Sequence, residues 1–254
     1  MIWHIAWREL RGLFLSPLAW TILAVMQFIL AWIFFAQIET FFALQPQLAV
    51  IDGAPGATDL IAAPLFSSAS VLLLMICPLL TMRLIAEERR SGTLNLLLSS
   101  PVTMTEIVLG KYLGIILFLF ILVLQISLMP LSLLMGSELD MGKLAAGILG
   151  QILLLASFAA AGLYLSSLTN NPIIAAISTF GLLIMLWIID AAANTGINAG
   201  NQTTQFFTYI SLIKHNTPML RGIINSSDLA YFALFIITFI GLSIRQLDAQ
   251  RLQK

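Results

Sequence analysis

The sequence predicts an all-α polytopic membrane protein, and three observations support this prediction. Hydrophobic residues make up 59% of the 254-residue chain and charged residues only 9%, whereas a soluble domain is nearer half apolar and a quarter charged. Six apolar runs each approach the roughly 20 residues that a helix needs to cross the hydrocarbon of a bilayer. Basic residues are concentrated in alternate connections between these runs. We therefore expect six transmembrane helices in a single domain, 1–254.

The six apolar runs lie at about 18–38, 63–82, 113–135, 144–168, 173–189 and 229–244. The fifth run follows Pro172, a residue that suits the first turn of a helix. With the N-terminus inside, three basic residues are outside, namely Lys143, Lys214 and Arg221. The other nine are then cytoplasmic: Arg8, Arg11, Arg83, Arg89, Arg90, Lys111, Arg245, Arg251 and Lys254. This partition predicts that both termini are cytoplasmic, in a bacterial inner membrane.

Overall charge excludes one class of partner. The chain has 12 basic and 12 acidic residues, so no basic surplus indicates nucleic-acid binding. The single cysteine, Cys77, lies inside an apolar run and excludes an intrachain disulfide.

Residues 1–17 are predicted to form an amphipathic helix that lies on the membrane surface. Four apolar residues follow a helical spacing and form one stripe, namely Trp3, Trp7, Leu10 and Phe14. A polar face beside it carries His4, Arg8 and Arg11. Tryptophans at headgroup depth beside basic residues are typical of an interfacial helix, and membrane lipid is thus its expected partner. The alternative is that this segment is only the basic flank of the first span.

The long outer connection, 191–228, divides into two parts. Its first part is small, polar and prone to turns, whereas the second is apolar but too short to cross the membrane. We expect the second part to form one or two short helices in the outer leaflet, broken at Thr217 and Pro218. Asp228 is expected near the start of the sixth span. His215 could be a metal or proton site, but a lone histidine without a second ligand favours an interfacial anchor, and no metal site is predicted.

The longest cytoplasmic connection, 84–106, concentrates the scarce charges. Glu87, Glu88, Arg89 and Arg90 stand side by side, in what we expect to be a short helix over 84–100. Gly92 in its middle predicts a bend or the close approach of another backbone. Anchoring by the positive-inside rule explains the arginines but not the acids, since acids contribute little to orientation. Docking of a soluble partner explains both, because such charges steer encounter and fix register.

The end of this connection is marked by its own signals. Thr103 and Glu106 fit a capping box, which predicts the start of the third helix. Lys111 is expected to extend its ammonium group back to the headgroups. Gly110 and Gly114 form a GxxxG pattern, for which close packing near the helix start is favoured over a dimer contact.

The stretch EERRSGTLNLLLSSPVTMTEIVLGK, from Glu87 to Lys111, resembles the first cytoplasmic loop of permease subunits of type-2, exporter-like ABC transporters. The resemblance rests on two acids, a Gly-Thr, leucines, a Pro-Val and then an acid and a lysine. It implies that the loop carries a coupling helix that sits in a cleft of a separate ATPase subunit. The residues that it assigns to coupling are Glu87, Glu88, Arg89, Arg90, Gly92 and Thr93.

A second stretch, ISLIKHNTPMLRGIINSSDLAYF from Ile210 to Phe232, is similar to the segment before the last span of the gliding-motility-associated and nitrous-oxide-reductase-maturation permeases. The matching positions are His215, Arg221, Gly222 and Asp228. This resemblance implies a dimer of permeases, homomeric or heteromeric, with an ATPase subunit docked on each. It leaves room for an accessory extracytoplasmic protein, and for a complex that acts on such a protein without moving a free solute.

The chain shows no nucleotide-binding motif of its own. Neither Gly-Lys pair has the upstream glycine and the following Ser or Thr of a phosphate-binding loop. We expect no cofactor in this chain, with ATP and Mg bound by the partner ATPase, so the chain itself is not an enzyme. The alternative is a proton-coupled secondary transporter or a channel that acts without an ATPase. Such a carrier needs ionisable residues at membrane depth, and the central parts of the spans carry none.

Hydroxyl residues within two spans are candidates for a substrate pathway. Such side chains more often bond the backbone of their own helix, which is the alternative. The candidates are Ser67, Ser68, Ser70, Ser178 and Thr179.

Overall fold

The computed structural model describes residues 1–48, 55–93, 102–135, 139–193 and 209–252. These residues form helices and connections without a β-strand. The helices are α1 (Ile2–Leu15), α2 (Pro17–Leu48), α3 (Ala63–Thr81), α4 (Ala86–Arg90), α5 (Met104–Ser132), α6 (Met141–Leu168), α7 (Pro172–Ala193), α8 (Leu212–Leu220) and α9 (Ser226–Leu252). A π-helical turn, Thr58–Ala62, leads into α3, and a 3-10 turn, Leu133–Met135, follows α5. The polar part of the outer connection, 194–208, lies outside the described residues.

Six of these helices are long and apolar enough to cross a membrane, as the sequence predicts. The third begins at Met104, as the capping box predicts, although its apolar run starts only near residue 113. The reason is the predicted capping box, which is present: Glu106 N donates to Thr103 Oγ1 at 3.3 Å, and Thr103 N donates to Glu106 Oε2 at 3.0 Å. The helix therefore starts on polar residues and enters its apolar stretch later. The fifth begins at Pro172, as expected.

Helix α6 is the central element of the bundle. It packs against α3, α5, α7, α8 and α9, and small residues along it allow this close packing. An added Cβ at Gly162 would lie 2.2 Å from Thr81 Oγ1, and one at Gly150 would lie 2.9 Å from Met219 Cβ. In lipid, helix association depends on close van der Waals packing, so these glycines allow α3 and α8 to approach α6 closely.

Helix α1 packs along α5 through the GxxxG pattern. An added Cβ at Gly110 would lie 2.7 Å from Ile5 Cβ, and one at Gly114 would lie 2.7 Å from Glu9 Cβ. The glycines thus provide close packing within one chain. The prediction that one apolar stripe of α1 faces the membrane is wrong for Leu10, which is buried in the protein. Trp3 and Trp7 of the same stripe are exposed. The face that packs on α5 lies beside the tryptophan face, and this leaves the tryptophans free for headgroups.

Helix α8 is the predicted short helix before the last span, but its end is not where the sequence analysis places it. Pro218 lies inside the helix, and the break comes at Gly222, whose φ is +86°. Proline lacks only its own N–H donor, and the helix continues for two residues beyond it to Leu220. Glycine adopts positive φ without steric cost, so it ends the helix. Asp228 lies in the first turn of α9, as predicted.

Candidate functional site

Helix α4 and the turn before it are anchored to α6 by one buried hydroxyl. Ser166 Oγ donates to Met82 O at 3.0 Å and accepts from the backbone N–H groups of Ile85 at 3.2 Å and Ala86 at 3.0 Å. These N–H groups belong to the start of α4, where no intrahelical acceptor exists. Ser166, which lies on α6, thus takes the role of an N-cap for α4, and it fixes where α4 begins.

Lys111 connects α5 with α1 and α4 through two ion pairs. Its Nζ lies 2.8 Å from Glu9 Oε1 on α1 and 2.8 Å from Glu88 Oε1 on α4. Arg8 adds a weaker contact, with Nη2 3.4 Å from Glu88 Oε1. The Lys111 side chain is 1% exposed, so the expectation that it extends to the headgroups is wrong. Two carboxylates that are fixed by helix packing hold the ammonium group inside the protein.

The adjacent acids on α4 differ in their surroundings. Glu87 is exposed at 55% of its side chain and lies 3.6 Å from Arg83. Glu88 is 19% exposed, paired with Lys111, and its Oε2 is buried without a hydrogen-bond partner among the described residues. The docking interpretation, which needs both acids to be accessible, therefore fits Glu87 and not Glu88. Of the pair, Glu87 is the carboxylate that a soluble protein can reach.

The two arginines of α4 also differ in how far they are exposed. Arg89 is half-buried and its Nη2 donates to Gln250 Oε1 near the end of α9. Arg90 is exposed. One face of α4 is therefore attached to the bundle at several points, while Glu87 and Arg90 lie on its accessible surface.

Helix α4 ends at Arg90 and does not continue through Gly92. Gly92 has φ +75°, and Ser91 Oγ and Thr93 Oγ1 both donate to Glu88 O, at 3.2 and 3.3 Å. Of the short helix predicted over 84–100, the structure has residues 86–90 in α4, and Gly92 interrupts the helix, while 94–101 lie outside the described residues. The predicted bend is present. An added Cβ at Gly92 would meet no described atom of this chain within 4 Å, so the described residues do not supply the alternative, a close approach of another backbone.

A pocket of about 250 Å³ opens beside α4. Its lining combines apolar side chains with the charged side chains of Glu9, Arg83, Glu87, Glu88 and Lys111. The pocket lies between α1, the start of α2, the end of α3 and α4.

The opposite end of the bundle gathers the predicted outer residues. Lys143 Nζ lies 2.8 Å from Asp59 Oδ2, and Gly222 packs on Lys143, since an added Cβ would lie 2.6 Å from its Cγ. Arg221 is exposed in the turn that ends α8. Lys143 and Arg221, both predicted outside, thus lie at one end, away from Arg8, Arg89 and Lys111.

His215 and Asp228 are in direct contact, which the sequence analysis did not predict. His215 Nδ1 lies 2.6 Å from Asp228 Oδ1, and Nε2 lies 2.9 Å from Tyr209 O. The imidazole stacks on the Tyr231 ring, with centroids 4.1 Å apart at 20°. Both side chains of the pair are buried. The interpretation of His215 as an interfacial anchor is therefore wrong.

Four of the five pathway candidates bond the backbone of their own helix. The acceptors are Pro64 O for Ser68, Phe66 O for Ser70, Ile174 O for Ser178 and Ala175 O for Thr179. Ser67 is exposed on the surface of α3. Ser70 also lies 3.0 Å from the Gln151 amide on α6. The alternative role, backbone bonding, therefore accounts for these four, and the pathway stays a prediction.

Two residues that hold the helices around α4, Glu9 and Ser166, were not predicted from the sequence. Glu9 carried a signal, as the single acid on a helix whose polar face is basic. Ser166 carried none, because serines in membrane helices usually bond their own backbone. Among the described residues, no group of three His, Cys, Asp or Glu side chains is placed to hold a metal ion.

Comparison with known families agrees with this architecture. The model of the ABC-2 family transporter protein matches residues 3–247, nearly the whole chain. Comparison with curated proteins gives no match. With six membrane-spanning helices and a family match over almost its full length, the chain belongs to the ABC-2 transporter family and is a permease component of an ABC transporter.

Proposed function

We propose that the chain is the permease subunit of an ATP-driven complex and is energised by a separate ATPase subunit that docks on residues 84–100. The observation that supports this most directly is that the charged residues of α4 differ in accessibility. Glu87 and Arg90 are accessible, whereas Glu88 and Arg89 are bound to other helices of the chain. In this proposal the accessible charges, with Gly92 and Thr93 beside them, meet the ATPase.

The inward contacts of α4 give a route for transmitting force. Lys111 links it to α5 and α1, Ser166 links it to α6, and Gln250 links Arg89 to α9. Movement of a loosely attached loop would be absorbed locally. A loop held by a buried ion pair and several hydrogen bonds transfers its displacement to the helices that hold it. Glu88 and Arg89 thus serve coupling from inside the permease.

The remainder of the proposed complex follows the two sequence resemblances. Two permease copies, identical or different, pair in the bacterial inner membrane with both termini cytoplasmic, and each holds one ATPase subunit that binds ATP and Mg. The complex exports a substrate or transmits force to an accessory extracytoplasmic protein. The similarity of residues 210–232 to the gliding-motility-associated and nitrous-oxide-reductase-maturation permeases supports membership of that branch.

The test compares charge reversal at Glu87 with charge reversal at Arg11, an exposed residue on α1. The readouts are co-purification of the ATPase that accompanies the wild-type chain and the ATP turnover of the complex. Glu87→Lys is expected to lose most of the ATPase while the permease stays folded, because the exposed pair with Arg83 contributes about 0–1 kcal/mol to stability. Arg11→Glu should retain it. Unchanged yield and turnover in Glu87→Lys would show that Glu87 is not a docking residue.

A second experiment tests the alternative function. If the chain is a secondary transporter or channel, the purified permease alone should move solute or protons across proteoliposomes driven by an ion gradient. The proposed function predicts no such flux without the ATPase and ATP.

A further inference from the structure

The hydrogen-bond partners of His215 determine how many protons its site must hold. Tyr209 O, 2.9 Å from Nε2, is a carbonyl oxygen and can only accept, so Nε2 carries a hydrogen. Nδ1 faces Asp228 Oδ1 at 2.6 Å, a distance that requires one proton between the two atoms. That proton belongs either to an imidazolium beside a carboxylate or to a carboxylic acid beside a neutral ring. In both forms, the pair holds one proton more than neutral histidine and ionised aspartate hold together.

We propose that His215 and Asp228 form a proton-binding site that holds the start of α8 against the first turn of α9. The site links three points of the chain, namely Tyr209 before α8, His215 within α8 and Asp228 in α9. It lies at the end of the bundle opposite α4, so the inference is independent of where the ATPase docks. The ligand is a proton from the compartment that this end faces.

Loss of the proton leaves no arrangement that satisfies all three groups. If Nε2 keeps its hydrogen, the lone pairs of Nδ1 and ionised Oδ1 face each other at 2.6 Å. If the hydrogen moves to Nδ1, the lone pair of Nε2 faces the carbonyl oxygen of Tyr209 at 2.9 Å, with no hydrogen between the two acceptors. Two acceptors in direct contact repel each other, so either result favours separation of His215 from Tyr209 or from Asp228. The bound proton therefore holds this contact together, and its loss opens the contact.

No other described charge substitutes for the missing proton. On α9, Tyr231 stacks on the ring, and its hydroxyl donates to Ile210 O. Asn225 Nδ2 donates to Asp228 Oδ2 at 3.0 Å and leaves Oδ1 to His215. The other aromatic neighbour is Tyr209, edge-on at 5.3 Å. From α6, which also packs on α8, the nearby cation Lys143 is paired with Asp59. Among the described contacts of the ring, α3, α6 and α7 supply no acidic or basic side chain.

The chain offers a direct way to observe this site, because it has only two histidines, His4 and His215. In a His4→Gln variant of the full chain in lipid nanodiscs, labelled with ¹⁵N-histidine, all ring signals come from His215. The titration covers about pH 5 to about pH 9, on both sides of the ordinary histidine range. Hydrogen–deuterium exchange of residues 209–216, corrected for the intrinsic rate, is followed in parallel.

At low pH we expect Nε2 protonated, a proton shared between Nδ1 and Asp228, and protected amides. As pH rises, the ring signal should change together with a loss of protection of about tenfold, the effect of one lost buried hydrogen bond. Asp228→Asn is the most informative variant, because it replaces the proton-dependent contact with one that needs no extra proton. Its amide can donate to Nδ1 of a neutral ring that still donates to Tyr209 O, so protection should stay constant at high pH. Lys214→Gln changes an exposed charge on α8 and should titrate like the wild type.

Two results would overturn the proposal. One is wild-type protection that does not vary with pH while the ring signal titrates. The other is Asp228→Asn with the same pH dependence as the wild type. If Asp228→Asn does not fold, the wild-type spectrum decides by itself, since an unprotonated Nε2 in the protected state contradicts the proposed site.

Discussion

Lys111 Nζ lies 2.8 Å from Glu88 Oε1, and this contact joins the loop that carries α4 to the long helix α5. The second carboxylate on the same ammonium group, Glu9, brings in α1. Three helices therefore meet at one buried cation. The Lys111 side chain is buried, and both carboxylates are largely buried. Loss of the cation would therefore leave two buried negative charges without their main partner.

Replacing Lys111 with Met is expected to destabilise the fold by about 3–5 kcal/mol, the usual effect of removing one partner of a buried pair. Cys77 gives the measurement, because it is the only cysteine and is buried, so a thiol-reactive dye reports thermal unfolding. Combining Lys111→Met with Glu9→Gln and Glu88→Gln should recover part of the loss. Arg90→Ala, at an exposed site on α4, is the control and should unfold like the wild type.

Ser166 and Ser167 form a matched pair for testing how α4 is anchored. Both are buried, but Ser167 Oγ donates only to Tyr164 O in its own helix, whereas Ser166 serves three backbone groups of the 82–86 segment. Ser166→Ala leaves the N–H groups of Ile85 and Ala86 unpaired, and each unpaired group costs about 1–3 kcal/mol. We expect lower thermal stability and faster hydrogen exchange at 82–90. Equal behaviour of Ser167→Ala and Ser166→Ala would show that Ser166 is not the anchor.

Some of these features could be predicted from sequence and others could not. The spans were predictable because each must be apolar over its own length, and the capping box was predictable because Thr103 and Glu106 are local partners. The Lys111 contacts were not, since Glu9 is 102 positions away and no local pattern encodes which helices become neighbours. The same holds for Ser166, which bonds a backbone group 84 positions away.

The glycines of α5 should determine whether α1 stays docked. An alanine Cβ at Gly110 or Gly114 would lie 2.7 Å from Cβ atoms of α1, which cannot move unless the helix moves. We expect each substitution to cost about 1–3 kcal/mol and the pair to displace α1 together with Glu9. The readouts are thermal unfolding and protease cleavage within 2–15. Gly12→Ala is the control, because no described atom lies within 4 Å of its added Cβ. Resistance of the double variant to the protease, at wild-type stability, would contradict this role.

The orientation of the chain follows from the distribution of its basic residues and can be tested at the two ends of the bundle. Pro55 is exposed near the Asp59–Lys143 end, and Ala249 is exposed beside Gln250, which contacts Arg89 at the other end. The positive-inside rule places the arginine-rich end in the cytoplasm. In a Cys77→Ala background, an impermeant maleimide added to intact cells should label Pro55→Cys and leave Ala249→Cys unlabelled until the cells are permeabilised. Positions 200 and 95, outside the described residues, should behave like 55 and 249 respectively. Labelling of Ala249→Cys from outside would reverse the proposed topology, and it would also place α4 on the side of the membrane where no ATPase could reach it.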